Sequence, residues 1–270
     1  MKIYILRLSD WLIITLILSS CTKVIDIDLN SASPQLVIEG NISDLPGPYS
    51  VRLSKTVNFN KTNLFPPASG AIVKISDNTG NSEILTETSP GLYSTSLIQG
   101  TPGRTYTLTV TYEEKIYEAT STMPYGVYID TLTIQEFCNG IQGAATGKII
   151  AKYINVQFYD PSEISNYYRF IQIFNGVPQD DIFLIDDQLQ NGQTISNLLA
   201  HTRNNFQPGD TVTVLLQRFD KGVYEYFRTL SQLRSAELSS SPSNPLSNFN
   251  NGALGYFSAY SLRSKTIVIP

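Results

Sequence analysis

The stretch Thr105-Tyr106-Thr107-Leu108-Thr109-Val110-Thr111-Tyr112 decides the fold class. Tyr106, Leu108, Val110 and Tyr112 alternate with threonines, and this period of two sends one set of side chains to a buried face and the other toward water. The same rhythm precedes it. Val51 and Leu53 alternate with Arg52 and Ser54, and Ala71, Val73 and Ile75 alternate with Ile72, Lys74 and Ser76. Turn clusters separate the runs: Leu45-Pro46-Gly47-Pro48, Asp77-Asn78-Thr79-Gly80, Ser89-Pro90-Gly91 and Gly100-Thr101-Pro102-Gly103. Short strands punctuated in this way predict a β-sandwich of immunoglobulin-like or transthyretin-like type over residues 31–124.

Met123-Pro124-Tyr125-Gly126 interrupts the pattern and sets a domain boundary, so residues 125–270 are expected to form a second β-rich domain. Its strands, Ile149–Asp160, Asn166–Gly176 and Asp210–Asp220, carry apolar residues on both faces. Tyr167, Tyr168, Phe170, Ile171, Ile173 and Phe174 leave little room for a solvent face, so that strand should be covered on both sides. One amphipathic helix is expected at about 223–238, where Tyr224, Phe227, Leu230, Ser231, Arg234 and Leu238 recur at spacings near three and four. The serine- and proline-rich run behind it ends it. In the first half, the loop Asn58–Gly70 brings Phe59, Leu64 and Phe65 together. These pack back on the sandwich edge or, through Phe59 and Phe65, present a partner surface.

The N-terminus sets the location. Lys2 and Arg7 precede the apolar run Trp11–Leu18, which closes on Leu18-Ser19-Ser20-Cys21. The run is far shorter than the roughly 20 residues that span a bilayer core. A plain secretory signal has the same order of parts, but a cysteine directly after small residues looks like the lipobox of a bacterial lipoprotein. On that reading residues 1–20 are a signal peptide, with Leu18, Ser19 and Ser20 recognised by the signal peptidase. Cys21 then carries diacylglycerol and fatty acyl chains such as palmitate, and residues 21–34 form a lipidated tether.

Composition excludes several functions. The 270-residue chain has a net charge of −4 and no basic cluster, so it lacks the electrostatic footprint of a nucleic-acid binder. Of its two cysteines, Cys138 alone remains once Cys21 is lipidated, so no intramolecular disulfide framework is available. The single histidine, His201, rules out multi-histidine metal sites. Nucleophile elbows, paired-cysteine motifs and phosphate-cradling loops are missing from the sequence, which gives no catalytic residue, metal ligand or cofactor beyond the lipid. The densest acidic group, Asp180, Asp181, Asp186 and Asp187, reads as a solvated hairpin flank; a surface hydrolase using these acids is the alternative. A structural or adhesive surface protein is a third reading. Only Tyr4 of the 16 tyrosines lies in the leader, and tyrosine suits binding surfaces. Asp130-Thr131-Leu132 looks like the Asp-Thr-aliphatic acceptor of bacterial O-glycosylation, at Thr131.

Four separated motifs carry a resemblance to a known family. They are Cys21–Asp28 with Leu36-Val37-Ile38-Glu39-Gly40, then Gly70–Ile75, then Tyr159-Asp160-Pro161 with Asn166-Tyr167-Tyr168, and last the closing run Pro245–Ser261. Together they resemble an uncharacterised family of Bacteroidota outer-membrane lipoproteins, typically encoded beside TonB-dependent receptors. The resemblance implies a protein anchored to outer-membrane lipid through Cys21, on the cell surface or the periplasmic face, that partners such a receptor in nutrient capture or uptake. It implies no catalytic residue. Within the closing run, Gly252 and Gly255 are expected to allow a bulge or a close backbone approach at the start of a strand.

Overall fold

The computed structural model describes residues 33–57, 65–138, 150–162, 164–200, 206–235 and 244–270. The expected signal peptide, Cys21 and the tether up to residue 32 lie outside the described residues. In chain order the first strands are β1 (Leu36–Ser43), β2 (Ser50–Lys55), β3 (Ile72–Asp77), β4 (Ser82–Ile84), β5 (Thr86–Ser89), β6 (Leu92–Ser94), β7 (Thr105–Tyr112) and β8 (Lys115–Thr122). They continue with β9 (Thr131–Cys138), β10 (Ile150–Tyr159), β11 (Tyr167–Phe174), β12 (Val177–Pro178), β13 (Phe183–Asp186), β14 (Thr194–Ala200) and β15 (Thr211–Phe219). Helix α1 (Lys221–Ser235) and strand β16 (Leu254–Val268) follow.

The alternation in β7 is realised. Tyr106, Leu108 and Val110 are wholly buried, and the threonines between them stay half-exposed. Each aliphatic side chain buried this way contributes about 1.5–3 kcal/mol. Val51 and Leu53 of β2 and Val73 and Ile75 of β3 join the same core, as their spacing requires.

Three sheets form. The longest runs β12-β11-β15-β16-β1-β2-β6-β5, with β13 also paired to β11. The four-stranded sheet β4-β3-β7-β8 closes a sandwich over its β1-β2-β6 end, with Ile38, Val51, Tyr93, Ile75, Leu108 and Phe257 meeting in one cluster. The three-stranded sheet β14-β10-β9 does the same over β11 and β15, where Val156, Phe158, Ile195, Tyr168, Phe170 and Leu216 meet. Both cores lie on one side of the long sheet. Leu216 pairs with Arg263 across β15 and β16, and Arg263 falls on the same alternate set of β16 as Phe257 and Ala259. Helix α1 covers the opposite side, packing Val223, Tyr226 and Phe227 against Phe219, Tyr167, Tyr256 and Tyr260. Strand β11 is thus covered on both faces, as its composition predicts.

Two cores are distinguishable along the described chain. The first holds residues 36–123 with Phe249, Ala253, Phe257 and Ala259, and the second begins at Val127. Strand β16 joins the halves. Its first part pairs parallel with β1, from Val37–Leu254 to Ser43–Tyr260, and its second part pairs antiparallel with β15. Residues Pro34–Pro270 make one compact unit.

The closing run explains itself through backbone hydrogen bonds. Strand β8 ends its sheet and would present an open edge. Asn250 accepts from Glu118 N through Oδ1 (2.8 Å) and donates its own N–H to Glu118 O (3.0 Å), while Asn251 Nδ2 donates to Ile116 O (2.8 Å). Asn248 closes on Phe257 in both directions, at 2.8 and 3.0 Å. Gly255 then crosses β1 at a φ of +93°, so close that an added Cβ would stand 2.8 Å from the Ile38 carbonyl carbon and nearer still to its oxygen. The expected close backbone approach sits at Gly255. Gly252 (φ +77°) has open space around it and serves the turn.

Two carboxylates clip the loops of the first sandwich. Asp77 accepts from Thr79 N and Oγ1 (both 2.9 Å), Asn81 N (2.9 Å), Asn81 Nδ2 (2.8 Å) and Arg104 Nη1 (2.7 Å). Glu83 accepts from the backbone N–H groups of Ser96 (2.6 Å), Leu97 (3.0 Å) and Ile98 (2.7 Å). Burial alone would raise both acids, but the hydrogen bonds from Asn81 and Thr79 on one, and from Ile98, Ser96 and Leu97 on the other, outweigh it and hold both below the usual carboxylate range. A depressed folded-state pKa gives stability that is present above the unfolded value near 4 and lost as pH falls through the folded one. The thermal midpoint is therefore expected to drop on acidification below about pH 4, and Asp77→Asn to flatten that slope, as read from melting curves across pH.

Candidate functional site

The helix-covered face of the long sheet gathers the most unusual chemistry among the described residues. Register places Arg169 of β11 beside Gln217 of β15, and sets Tyr256, Ser258 and Tyr260 of β16 beside Glu39, Asn41 and Ser43 of β1. Helix α1 is positioned above them by Asp220, whose Oδ1 accepts from Val223 N (3.1 Å) as an N-cap and whose Oδ2 accepts from Thr122 N (2.8 Å). The expected helix begins two residues late because this cap reads as part of the preceding strand; its expected end beyond residue 235 lies outside the described residues. Val223, Tyr226, Phe227 and Leu230 follow the helical spacing and face the sheet.

Around Arg169 the neighbours are rings. Its Cζ stands 4.2 Å from the Phe227 ring centre. Tyr256 lies 4.7 Å from Tyr226 and 4.9 Å from Phe227, centre to centre. Arg169 Nε is buried with no hydrogen-bond partner. Burial pulls the guanidinium below its ordinary range, and the oxygens of Tyr256, Tyr260 and Tyr226 partly offset this. Burial, with Glu39 nearby, pushes the Tyr226 hydroxyl up to about 12 and raises Tyr256 as well. Burial raises Tyr260 as well, so all three hydroxyls stay protonated near neutral pH; those of Tyr256 and Tyr260 are already engaged, with Asn41 and with Gln217 and Ser43.

A second polar group lies on the core side. Tyr168 OH donates to Asp160 Oδ1 at 2.5 Å, Gly192 N donates to Asp160 Oδ2 at 3.1 Å, and Asn166 N donates to Asp187 Oδ2 at 2.9 Å. Arg218 donates to Asn166 Oδ1 and to Tyr125 O, the latter at 2.9 Å. Asp160, Asn166, Asp187, Arg218 and Tyr168 are all buried. This network locks the corner between β10 and β11 to the connector at Tyr125. It accounts for the run Tyr159-Asp160-Pro161 with Asn166-Tyr167-Tyr168 in structural terms.

The four sequence-predicted acids separate. Asp187 enters that buried network, where burial raises its pKa, so it is not the solvated flank its hairpin position suggests. Asp186 accepts from Tyr224 OH of the helix at 3.2 Å. The exposed Asp180 gives its carbonyl to Arg234 Nη1 at 2.6 Å. Asp181 lines a cleft of about 320 Å³ with Ile182, Phe183, Ser231 and Arg234. A paired-acid hydrolase needs carboxylates on one substrate, and Asp186 and Asp187 meet different layers.

Other expected positions are scattered. Thr131 is exposed at the start of β9, Phe65 is 59% exposed, and Ala68 just behind it is buried against β2. Cys138 ends β9. Phe59, His201, Cys21, Leu18, Ser19 and Ser20 lie outside the described residues. Among the described residues no group of three or more His, Cys, Asp or Glu is placed to hold a metal ion, and no helix is long and apolar enough to cross a membrane. Arg169 itself escaped sequence reading; its signal was a lone cation inside the apolar run Tyr167–Phe174.

A profile of a family described as a domain of unknown function, DUF4249, matches residues 22–266. No curated protein matches the chain.

Proposed function

We propose a function for a chain that belongs to the DUF4249 family: it is a lipid-anchored, non-enzymatic binding or accessory protein of the outer membrane that works with a TonB-dependent receptor in nutrient capture. The single observation that carries the binding reading is the face beside α1, where Arg169 lies among Tyr226, Phe227, Tyr256 and Tyr260 with a nitrogen left unpaired. Large amphipathic rings around a cation supply contact area and donors together, the composition of a recognition surface. The anchor is supported by Leu18-Ser19-Ser20-Cys21, and the tether to residue 34 separates lipid from fold. Cys21→Ser tests the anchor. The substituted chain is expected in the soluble fraction of broken cells with an unchanged melting temperature, since Cys21 lies outside the compact unit Pro34–Pro270. Full retention in the membrane fraction would overturn the anchor.

A further inference from the structure

We propose that the end of the first sandwich from which Pro34 leads back toward Cys21 is a lipid-contact surface that lies on the bilayer; this rests on the anchor reading and names what the anchored fold touches. Hydrogen bonds and register define that end. Gln35 O accepts from Thr56 N and Gln35 N donates to Thr56 Oγ1, both at 2.9 Å, so Pro34 stands beside the last residues of β2. Lys55 N donates to Pro66 O at 2.9 Å, which sets Phe65 close to the same point. Lys55 Nζ reaches Glu113 in the β7–β8 turn at 2.8 Å. Next to that turn, Ile72, Thr111 and Ile116 pair in one row across β3, β7 and β8. Phe65, Ile72 and Ile116 are each more than half exposed, so three large apolar side chains face water at one end of the sandwich.

Chain length selects the occupant. Pro34 follows Cys21 by 13 residues, and even a fully extended chain of that length keeps it within about 45 Å of the lipid. An anchor this short makes contact with the bilayer a local event, so a patch too weak to hold a free protein on lipid is kept there by effective concentration. The charges at this end balance. Lys55 pairs with Glu113, Lys115 adds positive charge near Glu113, and Glu114 offsets it. Attraction to anionic headgroups is therefore not the driving term; burial of Phe65, Ile72 and Ile116 among headgroups and upper acyl chains is. Lys55, whose Nζ stands 5.1 Å from the Tyr112 ring centre, can lay its stem on the apolar surface and keep its charge among the headgroups.

The test uses tryptophan as a reporter, since Trp11 is the chain's one tryptophan and departs with the leader. Phe65→Trp, Ile116→Trp and Tyr128→Trp chains, each purified with its anchor, are reconstituted in vesicles of phosphatidylcholine, plain or brominated near the top of the acyl chains. All three positions are more than half exposed, so the larger ring is accommodated without repacking. Tyr128 is the control. Its ring packs on Arg263, which binds Asp44 at the other end of β1, roughly 25 Å away along the strand. With the patch about 5–10 Å into the headgroup boundary, Phe65→Trp and Ile116→Trp are expected to emit at shorter wavelength and to lose about half their emission to bromine, while Tyr128→Trp stays unquenched. Adding Phe65→Ser to the Ile116→Trp chain should reduce its quenching, because the two side chains share one contact. Phe65→Trp and Ile116→Trp both unquenched, or Tyr128→Trp quenched as strongly, would overturn the proposal. Flotation of the same vesicles reads the anchor separately: a chain that floats with unquenched reporters leaves the anchor standing and removes the contact surface, and a chain that does not float removes both.

Discussion

Replacing Gly255 with alanine is expected to keep the chain from reaching its native state, at a cost above about 4 kcal/mol. The left-handed φ of +93° alone costs a non-glycine residue about 1–2 kcal/mol. The larger part is steric. The new Cβ would run into the carbonyl of Ile38, and both partners in that collision are backbone, which cannot rotate away. Moving β16 off β1 would also draw Phe257 and Ala259 out of the first core, where both are fully buried. Loss of one buried phenylalanine costs about 3–5 kcal/mol. Gly252→Ala is the internal control. Its φ is also positive, but nothing stands within 4 Å, so it should cost only about 1 kcal/mol. Urea titrations of the two variants separate the effects; equal losses would show that close approach at Gly255 is not what the position requires.

Arg218→Met carries the second large effect, an expected loss of about 3–5 kcal/mol at neutral pH. Arg218 is the cation of the core-side network, and it ties Asn166 to the backbone of Tyr125. Methionine fills much of the space but leaves Asp160 and Asp187 buried without a positive neighbour. Burial already raises Asp187, and removing the cation leaves its proton more strongly favoured. A raised carboxyl contributes stability at low pH that is lost as pH rises. The deficit of the variant should accordingly shrink on acidification, opposite to the trend from Asp77 and Glu83. A deficit that stays constant with pH would assign Arg218 a packing role instead.

The residues explain which parts of the fold could be read from sequence. β7 and β3 were legible because alternation is a local property, and each buried position has its solvent-facing neighbour one residue away. β11 was legible as a doubly covered strand because Tyr167 and Tyr168 both bury, one under the helix and one in the core. The parallel pairing of β1 with β16 was not, since strands from opposite ends of the chain share no turn that fixes their register. Short β4, β5 and β6, three or four residues each, carry too few positions to show a period. Asp187 illustrates a different limit. An acid after a hairpin strand is ordinarily solvated, and only the arrival of Asn166 and Arg218 from elsewhere makes its burial tolerable. Arg169 was hidden for the same reason, because a cation among apolar residues becomes a site only once rings from α1 and β16 surround it.

The proposed role at the outer membrane meets its most direct test in recovery of the intact, membrane-anchored chain from gently solubilised outer membranes after cross-linking, with bound proteins identified by mass spectrometry. The account predicts a TonB-dependent receptor in stoichiometric amount with the wild-type chain, and its loss with Cys21→Ser. An anchored chain that brings down no outer-membrane receptor would contradict it.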